Sequence, residues 1–106
     1  MKIQANSSPN KCSCEQGSII LSPCSGGSKC GQIANQAAVE LTRQGVGTIY
    51  CLAGVGAHIE SMVVTVESAE KVVAIDGCPV ACAKKTLGQA GISATHWFCV
   101  TELGVT

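Results

Sequence analysis

Four short apolar runs, separated by stretches of helical periodicity, restrict the fold of this chain more than any other feature of its sequence. The runs occupy residues 19–21, 48–52, 72–75 and 96–100. The third run has no alternation of polar and apolar positions, which is typical of a strand covered on both faces. Strands that alternate with helices favour a parallel sheet with right-handed crossovers. The sequence therefore predicts an α/β fold: a small three-layer sandwich with a four-stranded, mainly parallel sheet of the flavodoxin-like or Rossmann-like type.

Three helices are predicted between these strands. Apolar residues recur at helical spacing over residues 33–41, and Pro79 stands where a helix accepts proline, at its first position. Residues 59–66 are ambiguous, because their valines also favour a strand. A helix is predicted there, since the nearby glutamates lie off the apolar face. Residues 53–56 are predicted to form a loop.

The composition argues against two classes of partner. Lysine and arginine together number 7, as do aspartate and glutamate, so the chain lacks the positive excess that a nucleic-acid-binding protein needs for phosphate contacts. No stretch approaches the ~18 apolar residues of a membrane-spanning helix. We therefore expect neither nucleic acid nor a membrane as a partner, and the sequence identifies no protein partner.

Cysteine is the unusual residue of this chain, with 8 among 106 residues. Residues 1–18 are polar and are predicted to form a flexible, cysteine-containing leader, followed by a single α/β domain over residues 19–106. The leader has no apolar segment of the ~7–15 residues that a secretory signal needs. The apolar runs also suffice for a core without disulfides. We therefore expect a cytoplasmic protein with reduced thiols, in which clustered cysteines more often bind metal or react than stabilise the fold.

Three cysteines end three predicted strands, and a fourth stands at a predicted helix start. Cys24, Cys51 and Cys78 follow one another at equal intervals, as repeated units of one strand and one crossover would place them. Carboxyl ends of parallel strands meet at one edge of the sheet, where open α/β folds place their sites. Cys82 is spaced i, i+4 from Cys78, so the two would share a helix face. Four thiolates converging there would bind Zn²⁺ tetrahedrally.

The remaining cysteines and one aspartate have less specific assignments. Cys99 lies in an apolar strand and is expected to pack in the core as a small hydrophobe. Cys30 is open to three roles, as a substitute ligand, a resolving thiol or a packing residue. Cys12 and Cys14 of the leader could bind a soft metal or exchange with the other thiols. Asp76, at a strand end, either orients a ligand or caps the following helix.

Three blocks of the sequence resemble the signature of a known family. They are Asp-Gly-Cys-Pro-Val-Ala-Cys-Ala-Lys-Lys-Thr-Leu at residues 76–87, Pro-Cys-Ser-Gly at residues 23–26 and Tyr-Cys-Leu-Ala-Gly-Val-Gly at residues 50–56. In this order and spacing they are similar to the DGC-domain family, over roughly residues 19–104. The resemblance implies a small prokaryotic protein in which four cysteines are proposed as zinc ligands, but it implies no reaction. In this sequence those ligands are Cys24, Cys51, Cys78 and Cys82.

The sequence leaves three functions open. The first is a zinc-binding protein with a closed site of four cysteines and a structural, sensory or metal-handling role. The second is a thiol-based redox enzyme or sulfur carrier, in which Cys24, Cys78 or Cys82 is the nucleophile and a second cysteine resolves it. The third is an iron–sulfur protein, because four cysteines also hold such clusters. If the chain is an enzyme, thiol–disulfide or sulfur-transfer chemistry is expected.

Overall fold

The computed structural model describes residues 18–104 of the chain. The predicted leader, with Cys12 and Cys14, lies outside the described residues apart from Ser18. Within this range, no helix is both long and apolar enough to cross a membrane.

Four strands, four α-helices and a 3₁₀ helix follow one another along this part of the chain. They are β1 (Ile19–Pro23), α1 (Lys29–Arg43), β2 (Thr48–Ile49), α2 (Leu52–Gly56), α3 (Glu60–Glu67), β3 (Lys71–Asp76), α4 (Cys82–Gln89), β4 (His96–Cys99) and the 3₁₀ helix Val100–Leu103. The ambiguous residues 59–66 thus form a helix, as predicted. α1 begins where the Ser28 hydroxyl accepts a hydrogen bond from the Gly31 N–H at 3.1 Å, which satisfies one of the unpaired donors of its first turn.

The four strands form one parallel sheet in the order β2-β1-β3-β4. β1 and β3 lie at its centre and pair from Ile19 opposite Lys71 to Pro23 opposite Ile75. The predicted mainly parallel, four-stranded sheet is therefore confirmed. The strand order is consistent with a flavodoxin-like sheet, which begins 2-1-3-4.

Helices cover both faces of the sheet, so the predicted three-layer arrangement is confirmed. On one face, Leu21 and Ile75 belong to a buried cluster with Ala34 and Ala38 of α1. The cluster on the opposite face includes Ile20, Val72 and Ala74 of the strands, with Val55 of α2, Val66 of α3 and Leu87 of α4. Successive strand residues point to opposite faces. Because both faces are buried, the central strands appear as continuous apolar runs in the sequence.

Residues 53–56, predicted as a loop, belong to the short helix α2. Its Gly54 packs so closely on Met62 of α3 that a Cβ at this position would overlap the Met62 sulfur. Val55 of α2 is buried in the core at the same time. The helix is therefore fixed by packing against its neighbours, which overrides the low helix propensity of its two glycines, Gly54 and Gly56.

Two glycines let the start of α1 approach the ends of β1 and β3. A Cβ added to Gly31 would lie 2.5 Å from the carbonyl oxygen of Gly26, in the segment that follows β1. A Cβ added to Gly77, just after β3, would lie 2.6 Å from the backbone nitrogen of Gly31. These contacts bring three backbone segments together at the carboxyl edge of the sheet.

Replacing Gly31 by alanine should destabilise the domain. The added Cβ would press on the Gly26 backbone, which cannot move aside as a flexible side chain would, and such overpacking costs about 1–3 kcal/mol of unfolding free energy. Gly27→Ala is the matched control, because nothing lies within 4 Å of its added Cβ, and we expect it to change stability by less than about 0.5 kcal/mol. Urea denaturation measures both values. A Gly31→Ala protein as stable as the wild type would contradict the close approach.

Candidate functional site

The carboxyl edge of the sheet carries the four cysteines that the sequence singled out. Cys24 directly follows β1, Cys51 directly precedes α2, Cys78 comes two residues after β3, and Cys82 is the first residue of α4. In a parallel sheet, the segments that follow the strands leave at the same edge. The fold therefore places all four residues at this edge.

Cys24 and Cys51 line one open cleft, between the ends of β1 and β2. The cleft has a volume of ≈ 540 Å³, and its other polar lining residues are Ser25, Asn35, Tyr50 and Thr86. Cys51 is exposed and Cys24 is half-buried. A cleft of this volume is large enough for a small ligand, which would then contact two thiols.

Cys82 lies on the same side of α4 as a residue that borders this cleft. Thr86 borders the cleft and is four residues further along the helix. Residues four apart share a helix face. Cys82 is exposed and lies at the same edge of the sheet as Cys24 and Cys51.

Cys78 does not lie on α4, so the prediction that it shares a helix face with Cys82 is wrong. The helix starts at Cys82 rather than at Pro79. The preceding residues form a turn, closed by the N–H of Ala81, which donates to the carbonyl of Cys78 at 3.1 Å. Ala81 has a φ of +60°, a left-handed conformation that separates the turn from the helix. Cys78 is exposed in this turn.

The four thiols share an edge but do not form a ready-made coordination shell. Among residues 18–104, no three histidine, cysteine, aspartate or glutamate side chains lie close enough together to hold a metal ion. The metal-binding role of Cys24, Cys51, Cys78 and Cys82 therefore stays a prediction.

Asp76, at the end of β3, caps α4 from a distance. It is buried, and its Oδ1 accepts a hydrogen bond from the N–H of Ala83 at 2.7 Å, while its Oδ2 accepts one from the N–H of Lys84 at 3.2 Å. Those two amides belong to the first turn of α4, where backbone N–H groups lack helical partners. Ala81, the residue before the helix, has no side chain able to do this. Of the two roles predicted for Asp76, the helix cap is confirmed.

Trp97 of β4 completes the environment of the Asp76 carboxylate. Its Nε1–H donates to Oδ2 of Asp76 at 2.9 Å, and the ammonium nitrogen of Lys84 lies 4.9 Å from the centre of the indole ring. The cation is therefore held over the ring, where the electrostatic attraction is favourable. One carboxylate thus links β3, β4 and the start of α4.

Each residue of the Asp-Gly-Cys sequence consequently has its own position and role. Asp76 fixes α4 and Trp97, Gly77 allows the close approach to α1, and Cys78 is exposed. The first two residues are structural. The thiol of the third makes no comparable contribution to the core, which leaves it available for chemistry.

The segment after β1 is held by side-chain hydrogen bonds to α1. The Ser25 hydroxyl donates to Oδ1 of Asn35 at 2.9 Å, and the side-chain amide of Gln32 donates to the Gly26 carbonyl at 2.8 Å. Ser25 itself has a φ of +53°, which is uncommon for a residue with a side chain. These contacts fix the chain immediately after Cys24. Asn35 was not singled out from the sequence, because it lies ten residues from Ser25 with no motif to connect them.

Two further cysteines are buried or half-buried. Cys99 is buried, as predicted, and its sulfur lies 3.3 Å from the Thr101 hydroxyl. Cys30 is the second residue of α1 and is half-buried against the cluster that contains Leu21. This contact favours packing for Cys30 over the other two roles.

The sequence from residue 20 to residue 106 matches the family model of the DGC domain. The chain belongs to the DGC-domain family. The resemblance found in the three sequence blocks is thereby confirmed. A relative of this DGC-domain protein is the anaerobic and virulence modulator AnvM of Pseudomonas aeruginosa, which is 34% identical to it over 82 residues. The match covers 77% of this chain and 63% of AnvM, so the chain spans less than two thirds of that relative's length. No solved structure matches this protein.

Asp76→Asn should destabilise the DGC domain. An amide offers one acceptor oxygen where the carboxylate offers two, and its NH₂ group would face a backbone or indole N–H, so we expect a loss of about 1–3 kcal/mol in unfolding free energy. The emission of Trp97, the only tryptophan of the chain, should shift because its hydrogen-bond partner changes from a carboxylate to an amide.

Glu102→Gln serves as the control for this substitution, because it also neutralises an acid but at an exposed position. We expect it to change stability by less than about 0.5 kcal/mol. Guanidinium denaturation followed by tryptophan emission compares the two variants. If both variants are as stable as the wild type, Asp76 does not hold α4.

Proposed function

We propose that this DGC-domain protein binds a zinc ion at the carboxyl edge of its sheet. The ligands are the thiolates of Cys24, Cys51, Cys78 and Cys82. Four separate segments bring these cysteines to one edge, and three of the four cysteines are exposed. The proposal rests on this arrangement. Free cysteine is normally among the most buried residue types. Exposed thiols gathered at one edge therefore favour a binding or chemical role over packing.

The donor set suits zinc. Thiolate sulfur binds Zn²⁺ at about 2.3 Å in tetrahedral sites, whereas Mg²⁺ and Ca²⁺ prefer oxygen ligands. Four thiolates and one Zn²⁺ carry a net charge of about −2, which positive groups must offset. The start of α1 and the ammonium group of Lys84 supply positive charge near this edge, whereas the amides at the start of α4 already bind the Asp76 carboxylate.

Two of the proposed ligands lie on segments held by strand or carboxylate contacts, and the other two lie in exposed segments. The N–H of Cys24 donates to the Ile75 carbonyl at 3.0 Å, and Cys82 starts the helix that Asp76 holds. Cys78 lies in an exposed turn and Cys51 is exposed before α2. Zinc would draw these two segments toward Cys24 and Cys82, which couples metal binding to local order.

The relative's name supports a regulatory role for the site. AnvM is named as an anaerobic and virulence modulator, and we propose that this chain likewise acts as a modulator, with zinc serving a structural or sensory purpose. A cytoplasmic location is part of the proposal, because thiols stay reduced there. An iron–sulfur cluster on the same four cysteines and a thiol-based redox enzyme or sulfur carrier stay as separate hypotheses.

Zinc binding can be tested on protein purified without oxygen. We expect about one equivalent of zinc, held by four sulfurs. Changing Cys24, Cys51, Cys78 or Cys82 to serine should weaken zinc binding at least about a hundredfold, because loss of a ligand exceeds the ~10–100-fold cost of losing a group that only supports one. Competition with a chromophoric chelator measures the affinity.

Cys99→Ala is the control for these variants, because Cys99 is buried and is not one of the proposed ligands, and it should bind zinc as the wild type does. Less than about a tenth of an equivalent of zinc in protein whose thiols are all titratable would contradict the proposal. A coloured protein that contains iron would instead favour the iron–sulfur hypothesis.

Removal of zinc should leave the domain folded. The two buried clusters on the faces of the sheet contain the apolar core and do not include Cys51, Cys78 or Cys82, so the fold does not depend on the ion as a zinc finger does. We expect the far-ultraviolet circular dichroism to stay unchanged on chelation, while amide exchange around residues 77–81 becomes faster. Loss of the helical signal on chelation would contradict this.

A further inference from the structure

We infer that Cys24 and Cys51 form a reversible disulfide when the protein meets a peroxide. The two cysteines line the same cleft, one after β1 and one after the neighbouring strand β2. The pair is distinct from the sequence candidates for a nucleophile and its resolving thiol, which did not single out Cys51.

The register of β1 and β2 places Cys24 and Cys51 on neighbouring segments just past the strand ends. Leu21 lies opposite Ile49, and the N–H of Tyr50 still donates to the Leu21 carbonyl at 3.0 Å. Continuing this register puts Pro23 opposite Cys51, so Cys24 is offset by one residue. Neighbouring strands about 4.8 Å apart and a step of about 3.3 Å per residue give a Cα–Cα separation of about 6 Å. A disulfide requires a Cα–Cα separation of about 4.4–6.8 Å and side chains that do not point apart. Both cysteines lie past the last residue of their strands and line the same cleft, which favours the second condition.

The remaining cysteines of the described region are less well placed to pair with Cys51. Cys99 is buried, Cys30 is half-buried in the first turn of α1, and Cys82 lies on α4 rather than on a segment next to β2 in the sheet. Cys78 lies in the turn after β3, and β1 separates β3 from β2 in the sheet. Cys24 is therefore the thiol that the sheet places beside Cys51.

The chemistry uses one peroxide and two thiols. The exposed Cys51 thiol attacks an oxygen of hydrogen peroxide, breaks the O–O bond and becomes a sulfenic acid, with release of one water. The Cys24 thiol then attacks the sulfenic sulfur, forms the S–S bond and releases a second water. The two thiols supply the two electrons that reduce the peroxide. A dithiol reverses the reaction by exchange.

This disulfide would also control the metal site, a consequence that rests on the proposed zinc function. Oxidation removes two of the four proposed ligands, because a disulfide sulfur is not the thiolate that zinc needs. Peroxide would then release zinc, and a dithiol would restore binding.

The disulfide is tested on reduced, metal-free protein treated with one equivalent of hydrogen peroxide, followed by alkylation and peptide mass spectrometry. We expect the Cys24–Cys51 link to exceed any other linked pair at least about tenfold, and to disappear in Cys24→Ser and Cys51→Ser. Cys82→Ser is the matched control, because it removes an exposed thiol of the same edge, and it should keep the link. Circular dichroism checks that each variant is folded.

A dominant link between other cysteines, including Cys12 or Cys14, or oxidation of Cys51 to sulfinic acid without a link, would overturn the inference. A second measurement follows zinc release from zinc-loaded protein during the same oxidation. Zinc retained by protein that contains the disulfide would overturn the coupling. Failure of the reduced protein to bind zinc at all would contradict the proposed function. The disulfide would still be tested by mass spectrometry of the metal-free protein, because that experiment uses no zinc.

Discussion

The buried carboxylate of Asp76 is the interaction on which the rest of the carboxyl edge depends. It receives three hydrogen bonds, from two amides of α4 and from the Trp97 indole. A buried carboxylate without such donors would cost several kcal/mol, so the start of α4 must lie where its N–H groups reach Asp76. The residues between Asp76 and Cys82 are consequently held at both ends. Cys78 is exposed in the turn between these fixed points, and Cys82 is the first residue after that turn.

Close backbone packing between the start of α1 and the ends of β1 and β3 holds another part of this edge. Gly31 of α1 meets Gly26, and Gly77 meets the Cys30–Gly31 backbone, so no side chain separates α1 from the ends of the central strands. The contact fixes the segment that carries Cys24, whose own N–H is bonded to β3. The edge therefore combines a rigid frame of backbone and carboxylate with thiols that are mostly exposed. That combination is suited to a ligand that binds several segments at once.

The layers of the fold could be predicted from the sequence, but the residues at which the helices start could not. Continuous apolar runs indicated strands that are buried on both faces. Cys99 could be assigned to the core because its neighbours in the sequence are apolar. The start of α4 depends instead on contacts between Asp76 and residues seven and eight positions later, and on Trp97, which is twenty-one residues away. A tryptophan in a strand suggests a need for an N–H acceptor, but not which one. α2 was missed because its two glycines favour a loop, whereas contact with Met62 decides its conformation.

We propose that the carboxyl edge of this DGC domain gathers cysteine thiolates around one zinc ion. X-ray absorption at the zinc edge, on protein loaded with one equivalent of zinc and kept free of oxygen, tests it most directly. We expect four sulfur atoms around the zinc ion, each at about 2.3 Å. A shell dominated by nitrogen or oxygen at about 2.0–2.1 Å would contradict it.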